Sequence, residues 1–424
     1  MVELKIGVFS DTHVGRKIPL AIGDLRRAAY RHAFTQAIDI FIKEDVDFVI
    51  HGGDLMERRS MKPEDALFVK EELQRLIDQL EQETRIFAVR GNHDGSLENS
   101  VLDYISHPLA KYFKVLGDQT LQGMEEKYSD QGVTLAGLGY HPFIRRKLSK
   151  EVIQESLKGE GLRIFIVHNF VEDHHKIPPG TAQHSTIPLS FLKSIPIDLL
   201  VCGHFHENIG LSKNGDMLLL TPGATEAINL ADKGPFGVHI LNIDPNKVIE
   251  DRFVEVDPLH HIESFEIDSK GTVKTLQWYV KEVLLKAEAY TKQLEKAGKK
   301  CILRMMVKGR TNENRLDLDW LVDKELMKYT QEHPSLIYFD LMNNLEEVGE
   351  ALHAPPISRR KDYLKEAFSP LRELVTDAFS IVDEVDMVLE EEGSQRTELL
   401  IPSKRDEYVK KWLKLLDRLE VKEK

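Results

Sequence analysis

The sequence predicts an α/β protein with a large layered domain, a smaller α/β domain and a helical tail. Three observations support this fold class. Short apolar runs alternate with longer amphipathic stretches over about the first 250 residues, as strands alternate with helices in layered α/β folds. The same alternation restarts near Ile262 on a smaller scale. After Pro355 and Pro356 the apolar residues follow helical spacing only.

Length and composition fit a protein of several domains without a membrane-spanning segment. The chain has 424 residues, 42% of them apolar, and lacks any run of about 18 apolar residues that could cross a bilayer. Its N-terminal residues predict a strand rather than a signal sequence. Two cysteines, Cys202 and Cys301, are too few for a disulfide framework. We therefore expect a cytoplasmic protein without a membrane partner.

Five predicted strands of the large domain end in residues that can bind metal ions or transfer protons. The strands near residues 5–10, 48–53, 85–89, 162–167 and 197–202 are followed by Asp11 and His13, by Asp54, by Asn92 and His93, by His168, and by His204 and His206. In open α/β sheets, residues that are distant in sequence converge beyond the carboxyl ends of the strands. We therefore predict that these side chains form one site.

The residue types at these strand ends indicate a metal site. Imidazole, carboxylate and amide groups form a mixed nitrogen and oxygen donor set, which suits borderline ions such as manganese, iron or zinc. Seven side chains with one shared carboxylate are enough for two ions. Two ions about 3.5–4 Å apart can stabilise both the attacking and the leaving oxygen of an in-line displacement at phosphorus. Phosphoester hydrolysis is therefore the leading prediction.

Each motif alone also has an ordinary structural explanation. Asp54 can cap a turn, and Asn92 or Asp94 can cap a helix. All five motifs in order at five strand ends favour the metal site. Two alternatives stay open for the loop after His168, because His174, His175 and His184 are either structural or face a substrate. We predict that Cys202 belongs to the core.

Taken together, the motifs resemble the calcineurin-like metallophosphoesterase superfamily. They are Asp11-x-His13, Gly53-Asp54, Gly91-Asn92-His93-Asp94, His168 and Gly203-His204-Phe205-His206, over roughly the first 250 residues. The opening Asp-Thr-His-Val-Gly and the run 302–310 further resemble SbcD-type nuclease subunits of DNA double-strand-break repair complexes. This resemblance implies a four-layer β-sandwich flanked by helices at 1–258, a DNA-binding cap domain at 259–354 and a partner-binding helical tail at 355–424.

The resemblance also implies a role for each site residue. It assigns one manganese ion to Asp11, His13 and His206, the other to Asn92, His168 and His204, and the bridging position to Asp54. His93 would stabilise or protonate the leaving oxygen. Glu57 stands where many relatives have His or Asp, and we expect its carboxylate to orient His93. Glu57 and Asp94 would thus lie behind the ligands.

The family implies a specific activity and specific partners. Members cut double-stranded ends 3′ to 5′ and cut single strands or hairpins internally, as homodimers bound to an SMC-like ATPase of the SbcC type. We expect a prokaryotic, nucleoid-associated protein that acts on DNA, despite a formal net charge of −13, because phosphates are bound by local cations. The predicted DNA contacts are Arg16, Lys17, Arg58, Arg59, Arg145 and Arg146. The alternative is a phosphatase or cyclic-nucleotide phosphodiesterase on small or protein substrates.

The tail after Pro355 supports the partner prediction. Its apolar residues form two helical stripes, at 371–389 and at 408–419, and no further domain follows against which they can pack. We expect the stripes to bind the ATPase. Packing back on the cap, or of one stripe on the other, stays the alternative.

Overall fold

The computed structural model describes residues 4–80, 85–96, 99–107, 109, 111–117, 128–130, 132–159, 161–244 and 247–348. The strands are β1 (Leu4–Phe9), β2 (Phe48–His51), β3 (Arg85–Ala88), β4 (Gly95–Ser96), β5 (Asn99–Ser100), β6 (Phe113–Val115), β7 (Tyr128–Asp130), β8 (Val133–Leu138), β9 (Leu162–Val167), β10 (Leu199–Cys202), β11 (Gly210–Asn214), β12 (Met217–Thr221), β13 (Gly237–Asp244), β14 (Lys247–Glu255), β15 (His261–Val273), β16 (Cys301–Thr311) and β17 (Leu336–Glu347). The α-helices are α1 (Gly23–Glu44), α2 (Pro63–Gln79), α3 (Leu102–Ser106), α4 (Lys150–Ser156), α5 (Leu189–Leu192), α6 (Leu276–Lys296) and α7 (Asp317–Glu332).

Two six-stranded sheets form the large domain. The first has the order β14-β13-β1-β2-β3-β6, in which β1, β2, β3 and β6 are parallel. The second has the order β11-β12-β10-β9-β8-β7, in which β12, β10, β9 and β8 are parallel. Antiparallel strands close the remaining edges of both sheets. The parallel strands therefore occupy the centre of the second sheet, and in the first sheet they extend from the centre to the edge at β6.

The sheets pack face to face because their strands alternate between two apolar faces. Ile6 and Val8 of β1 belong to one buried cluster with Ile164 and Ile166 of β9, and all four are fully buried. The outer face of the first sheet packs on α1, α2 and α3, as where Phe9 meets Phe41 edge to face at 5.1 Å. Helices α4 and α5 cover the second sheet. The layers follow the order helix, sheet, sheet, helix, which confirms the predicted four-layer sandwich.

The smaller domain has a three-stranded sheet of order β15-β16-β17, with β15 and β16 parallel. Helices α6 and α7 share one buried cluster with it, centred on Tyr279, Val283 and Leu303. This arrangement agrees with the predicted smaller α/β domain, and its role as a cap stays a prediction. The predicted helical tail, 355–424, lies outside the described residues. Within the described part of the chain, no helix is long and apolar enough to cross a lipid bilayer.

His175 lies in the loop after β9 and has a structural role. Its Nδ1 accepts the backbone N–H of Val171 at 3.0 Å, its Nε2 lies 3.0 Å from Thr221 Oγ1, and the ring of Phe205 stacks on it at 4.9 Å. A nitrogen that accepts an N–H carries no proton, so the proton of the neutral ring is on Nε2. His174, His175 and Cys202 lie close enough to hold an ion. However, Nε2–H has no lone pair for one.

The other two histidines of this loop whose roles the sequence left open, His174 and His184, differ from His175. Nε2 of His174 lies 2.9 Å from Thr221 Oγ1, whereas His184 is exposed and stacks on Phe143 at 4.7 Å. Cys202 lies in the core between the second sheet and its helices, where the sequence placed it.

Lowering the pH from 7.5 to 5 should destabilise the protein through His175. Burial, reinforced by His174, holds the pKa of His175 at about 3, whereas the unfolded chain takes up this proton below about 6.5. The stabilisation is complete above pH 6.5 and is lost as the pH falls toward 3. Between pH 7.5 and 5 it amounts to about 2 kcal/mol. We expect His175→Gln to remove this part of the pH dependence of the unfolding free energy, measured with urea.

The matched control is His184→Gln, because His184 is exposed in the same loop. This variant should keep the pH dependence of the wild type. An unchanged pH dependence in His175→Gln would show that the ring is not held neutral in the fold.

Candidate metal centre

The predicted ligands converge because the strands that carry them are parallel neighbours. Strands β1, β2 and β3 end at one edge of the first sheet, and β9 and β10 end beside each other in the second. The two edges approach closely at two glycines. A Cβ added to Gly53 would lie 2.3 Å from His168 Nδ1, and one added to Gly203 would lie 2.1 Å from the carbonyl oxygen of Gly52. Only glycine lets the two sheets supply ligands to one site.

The backbone at this edge is strained. Asp11, His13, Asp54 and His204 have φ values of 50°, 41°, 55° and 75°, which side chains other than glycine rarely adopt. Such conformations cost about 1–3 kcal/mol each and persist where the surrounding structure enforces them. They turn the side chains after each strand into the space between the two sheets, and their concentration here marks a functional site.

One group of candidate ligands consists of Asp11, His13 and His206. Their ligand atoms all lie within 4.8 Å of one another. Nε2 of His206 is 3.7 Å from Asp11 Oδ1, and Nε2 of His13 is 3.7 Å from Asp54 Oδ2. These separations exceed a hydrogen bond and leave space for an ion between the groups.

A second group consists of Asp54, His168 and His204, again within 4.8 Å. Nε2 of His168 is 3.2 Å from Asp54 Oδ2 and 4.0 Å from Asp11 Oδ1. Asp54 is therefore within reach of both groups, as a bridging carboxylate must be. Asn92 is exposed, and its place as a ligand of the second ion stays a prediction.

The donor atoms present fit metal ions. His13 Nε2, His168 Nε2 and His204 Nδ1 are buried and lack a hydrogen-bond partner among the described residues. Buried polar atoms are almost always paired, and three unpaired ring nitrogens beside two carboxylates indicate that a cation completes the site. The set contains nitrogen and oxygen but no sulfur, which agrees with the predicted borderline ions.

Hydrogen bonds behind the ligands direct these nitrogens. His168 Nδ1 lies 2.7 Å from the carbonyl oxygen of Gly52, which can only accept, so Nδ1 carries a proton and the lone pair of the neutral ring is on Nε2. His13 Nδ1 donates in the same way to Glu57 Oε2 at 3.1 Å. The backbone N–H of His204 donates to both carboxylate oxygens of Asp11, at 3.2 and 3.1 Å. Each contact presents a lone pair to the site.

Glu57 differs from the expectation that its carboxylate orients His93. The carboxylate binds His13, and Arg16 Nη1 donates to both of its oxygens at 2.8 and 2.9 Å. His93 Nδ1 instead donates to the backbone carbonyl of Glu57 at 2.8 Å, while the nearer carboxylate oxygen is 3.9 Å away. The physical reason is that the buried Arg16 draws the carboxylate toward His13.

The centre has strongly coupled charges. Burial alone would lower the pKa of His168, but Asp54 and Asp11 raise it to about 9. Burial alone would raise the pKa of Asp54, but His168 and His13 hold it well below its usual value. Burial lowers the pKa of both His204 and His206. Because an ion displaces the proton from His168 Nε2, ion binding at neutral pH is accompanied by proton release.

Two further predicted residues flank the ligands. His93 is partly exposed, with 34% of its side chain accessible, and its backbone N–H donates to Asp54 Oδ1 at 2.8 Å. Asp94 is buried and accepts the backbone N–H groups of Gly91 and Met56 at 2.9 and 3.0 Å, which ties the end of β3 to the end of β2. Burial, then the charge of Asp54, raises the pKa of Asp94 to about 6.

The predicted DNA contacts fall into two classes. Arg16 is only 7% exposed, and its Nε donates to the Ile228 carbonyl while Nη1 binds Glu57, so its guanidinium supports the metal site instead of facing DNA. Lys17 pairs with Asp24, and Arg145 pairs with Glu172. The exposed members of the set are Arg58, Arg59 and Arg146.

A buried ion pair behind His206 has no local signal in the sequence. Arg26 is fully buried and donates to Glu226 Oε1 at 3.0 Å, to Tyr30 and to the Ala227 carbonyl. These contacts hold the loop in which the N–H of Ala224 donates to the backbone carbonyl of His206. Arg26 and Arg27 have the pattern of a surface basic pair, and the partner of Arg26 is 200 positions away.

Comparisons with known proteins agree with the phosphoesterase family that the motifs resemble. Residues 4–208 match the family model described as calcineurin-like phosphoesterase. Three archaeal proteins named DNA double-strand break repair protein Mre11 are similar. That of Thermoplasma acidophilum is 26% identical over 254 residues, covering 57% of this chain and 62% of that protein. That of Methanosarcina acetivorans is 29% identical over 249 residues, covering 57% and 37%, and that of Sulfurisphaera tokodaii is 24% identical over 232 residues, covering 54% and 55%.

The chain thus spans roughly a third to three fifths of the length of these relatives. A solved dimetal phosphatase from Danio rerio covers 60% of this chain and 99% of its own, with a TM-score of 0.38 and 12% identity, which is too low to support an argument. The family match spans every predicted metal ligand, from Asp11 to His206. We conclude that residues 4–208 form a calcineurin-like phosphoesterase domain.

Proposed function

We propose that this chain is a two-metal DNA phosphodiesterase that acts as a 3′ to 5′ double-strand exonuclease and as an endonuclease on single strands and hairpins. The observation that carries the proposal is the convergence of two ligand groups on Asp54, with three buried ring nitrogens that lack partners. The names of the similar Mre11 proteins support DNA as the substrate.

In this proposal the side chains hold two manganese ions and orient the substrate phosphate. The first ion binds Asp11, His13 and His206, the second binds Asn92, His168 and His204, and Asp54 bridges them. Two such ions, when bound, polarise the phosphoryl oxygens and activate a water molecule for in-line attack. The hydrogen bonds from His13 to Glu57 and from His168 to Gly52 keep the ligands aligned before substrate arrives.

His93 acts on the leaving oxygen. Its Nδ1–H is fixed on the carbonyl of Glu57, and its backbone N–H is fixed on Asp54, so the ring is held beside the bridging carboxylate. In the protonated ring Nδ1 keeps its hydrogen bond, and Nε2–H is the group that donates to the leaving oxygen. The partial exposure of the side chain leaves this edge accessible to substrate.

The purified chain should cut labelled duplex DNA in the presence of manganese. The two-metal geometry and the exposed Arg58, Arg59 and Arg146 favour a polyanionic diester over a small monoester. The measurement compares DNA cleavage with hydrolysis of p-nitrophenyl phosphate under the same conditions, and EDTA is the control. Turnover of the small ester alone would favour the alternative phosphatase and reject the nuclease.

Two substitutions should separate catalysis from metal binding. His93→Gln should keep two bound manganese ions and lose DNA cleavage, because His93 acts on the leaving group rather than on an ion. Glu57→Gln should lower the affinity for one of the two manganese ions about 10- to 100-fold, since it removes the carboxylate that binds His13 Nδ1. Manganese titration by electron paramagnetic resonance measures both. Loss of manganese in His93→Gln would make His93 a ligand.

The partner proposal rests on the segment after Pro355. We propose that it binds an SMC-like ATPase in break repair and that the nuclease domain forms homodimers. The apolar residues of helical spacing at 371–389 and 408–419 support this proposal, as do the names of the relatives. A chain truncated after Pro355 should keep nuclease activity and lose a co-purifying ATPase, as measured by pull-down. Retention of the ATPase would contradict this role.

A further inference from the structure

A cavity of about 180 Å³ lies next to the candidate metal centre, between the segment that follows β1 and the segment that follows β2. Its lining residues are Val14, Gly15, Lys17, Ile18, Leu20, Glu57, Arg58, Ser60, Met61, Lys62 and Asp65. Glu57 lines the cavity and also contacts the metal centre. It therefore connects the cavity with two rings of the site, His13 through its carboxylate and His93 through its carbonyl.

The size of the cavity suits one heteroaromatic ring. An apolar cavity of about 150 Å³ in another protein holds a benzene molecule. A volume of 180 Å³ therefore admits a pyrimidine ring. In a phosphodiesterase, the group that reaches a cavity beside the leaving-group residue is the part of the substrate attached to the leaving oxygen.

The wall of the cavity is apolar where a ring would lie. Val14, Ile18, Leu20 and Met61 contribute to it. Leu20 is 81% exposed and Ile18 is 40% exposed, and both belong to the segment after β1 that lines the cavity. Exposed apolar groups grouped beside polar ones mark ligand-binding surfaces. A nucleobase of any sequence has a flat apolar face, which would bury apolar surface against these aliphatic groups.

The uncompensated charge around the cavity is positive. Its two carboxylates are already neutralised, since Asp65 binds Arg27 and Arg31 and Glu57 binds Arg16. Within the described part of the chain, Arg58 and Lys62 are exposed and make no ion pair. The rim therefore presents two exposed cations to an anion, and Lys62 also lies within electrostatic reach of Asp24 and Glu64. A phosphate next to the bound ring would meet them.

We propose that this cavity is a subsite for the nucleobase that follows the scissile phosphate on the leaving-oxygen side, with the next phosphate bound by Arg58 and Lys62. The proposal rests on the proposed function in that DNA is the substrate. The nuclease thus binds one base directly beside the bond that it breaks. This contact fixes the position of the phosphate over the metal centre.

The test measures binding in EDTA, where no hydrolysis occurs. Fluorescence anisotropy gives the affinity of the full chain for an oligothymidylate and for an abasic strand of equal length. The wild type should bind the strand with bases about 5- to 150-fold more tightly, which corresponds to about 1–3 kcal/mol for the apolar surface that one base buries. Ser60→Trp, which fills the cavity from an exposed position, should reduce this ratio by about the same factor. Leu20→Asp, which adds no bulk, should do likewise.

The cationic rim has a separate signature. Arg58→Ala with Lys62→Ala should weaken both strands equally and reduce the salt dependence of binding. The matched control is Lys193→Ala with Lys213→Ala, which removes the same charge from exposed positions outside the cavity lining and should leave the base preference unchanged.

The outcomes distinguish the subsite from the proposed function. If Ser60→Trp and Leu20→Asp keep the base preference of the wild type, the cavity takes no base and the inference is wrong, whether or not the chain cuts DNA. If the wild type shows no base preference, the inference is wrong as well. If the base preference responds as expected while manganese supports hydrolysis of small esters only, the cavity binds a base but the nuclease proposal fails, and with it the place of the subsite beside a scissile phosphate.

Discussion

The carboxylate of Asp54 is the contact on which the metal centre depends. One oxygen accepts the backbone N–H of His93, and the other lies between the imidazoles of His13 and His168, which come from different sheets. A single anion therefore joins the two halves of the sandwich at their common edge. Its negative charge offsets the cost of burying two imidazoles that share its surroundings, and its own pKa is low for the same reason.

Behind this carboxylate, charged residues are buried in pairs. Arg16 links Glu57 to the carbonyl of Ile228, and Arg26 links α1 to Glu226 and Ala227. The two arginines thus connect the loops that carry His13 and His206. Removing one partner of such a buried pair leaves an uncompensated charge, which is far more costly than the pair is stabilising. The network favours one arrangement of the ligand loops over alternatives.

The sequence was informative where the signal is local. Strand β1 and Asp11 at its end could be predicted because an apolar run and the residue after it are neighbours in the chain. The strands of the second sheet that end before His168 and His204 could be predicted in the same way. Long-range partners were not accessible: Arg16 has the same sequence appearance as an exposed Arg58, and its burial depends on Glu57, 41 positions away. The short ribbon of β4 and β5 was missed because each strand has only two residues.

The close approach at Gly53 and Gly203 has a consequence for how the protein matures. The imidazole of His168 occupies the space above Gly53, and Gly203 rests on the carbonyl of Gly52, so neither sheet contains a complete set of donors without the other. A growing polypeptide that stops short of β10 lacks His204 and His206, two of the seven predicted ligands. Metal loading is then a late event in biogenesis. A protein that holds its ions has both sheets assembled.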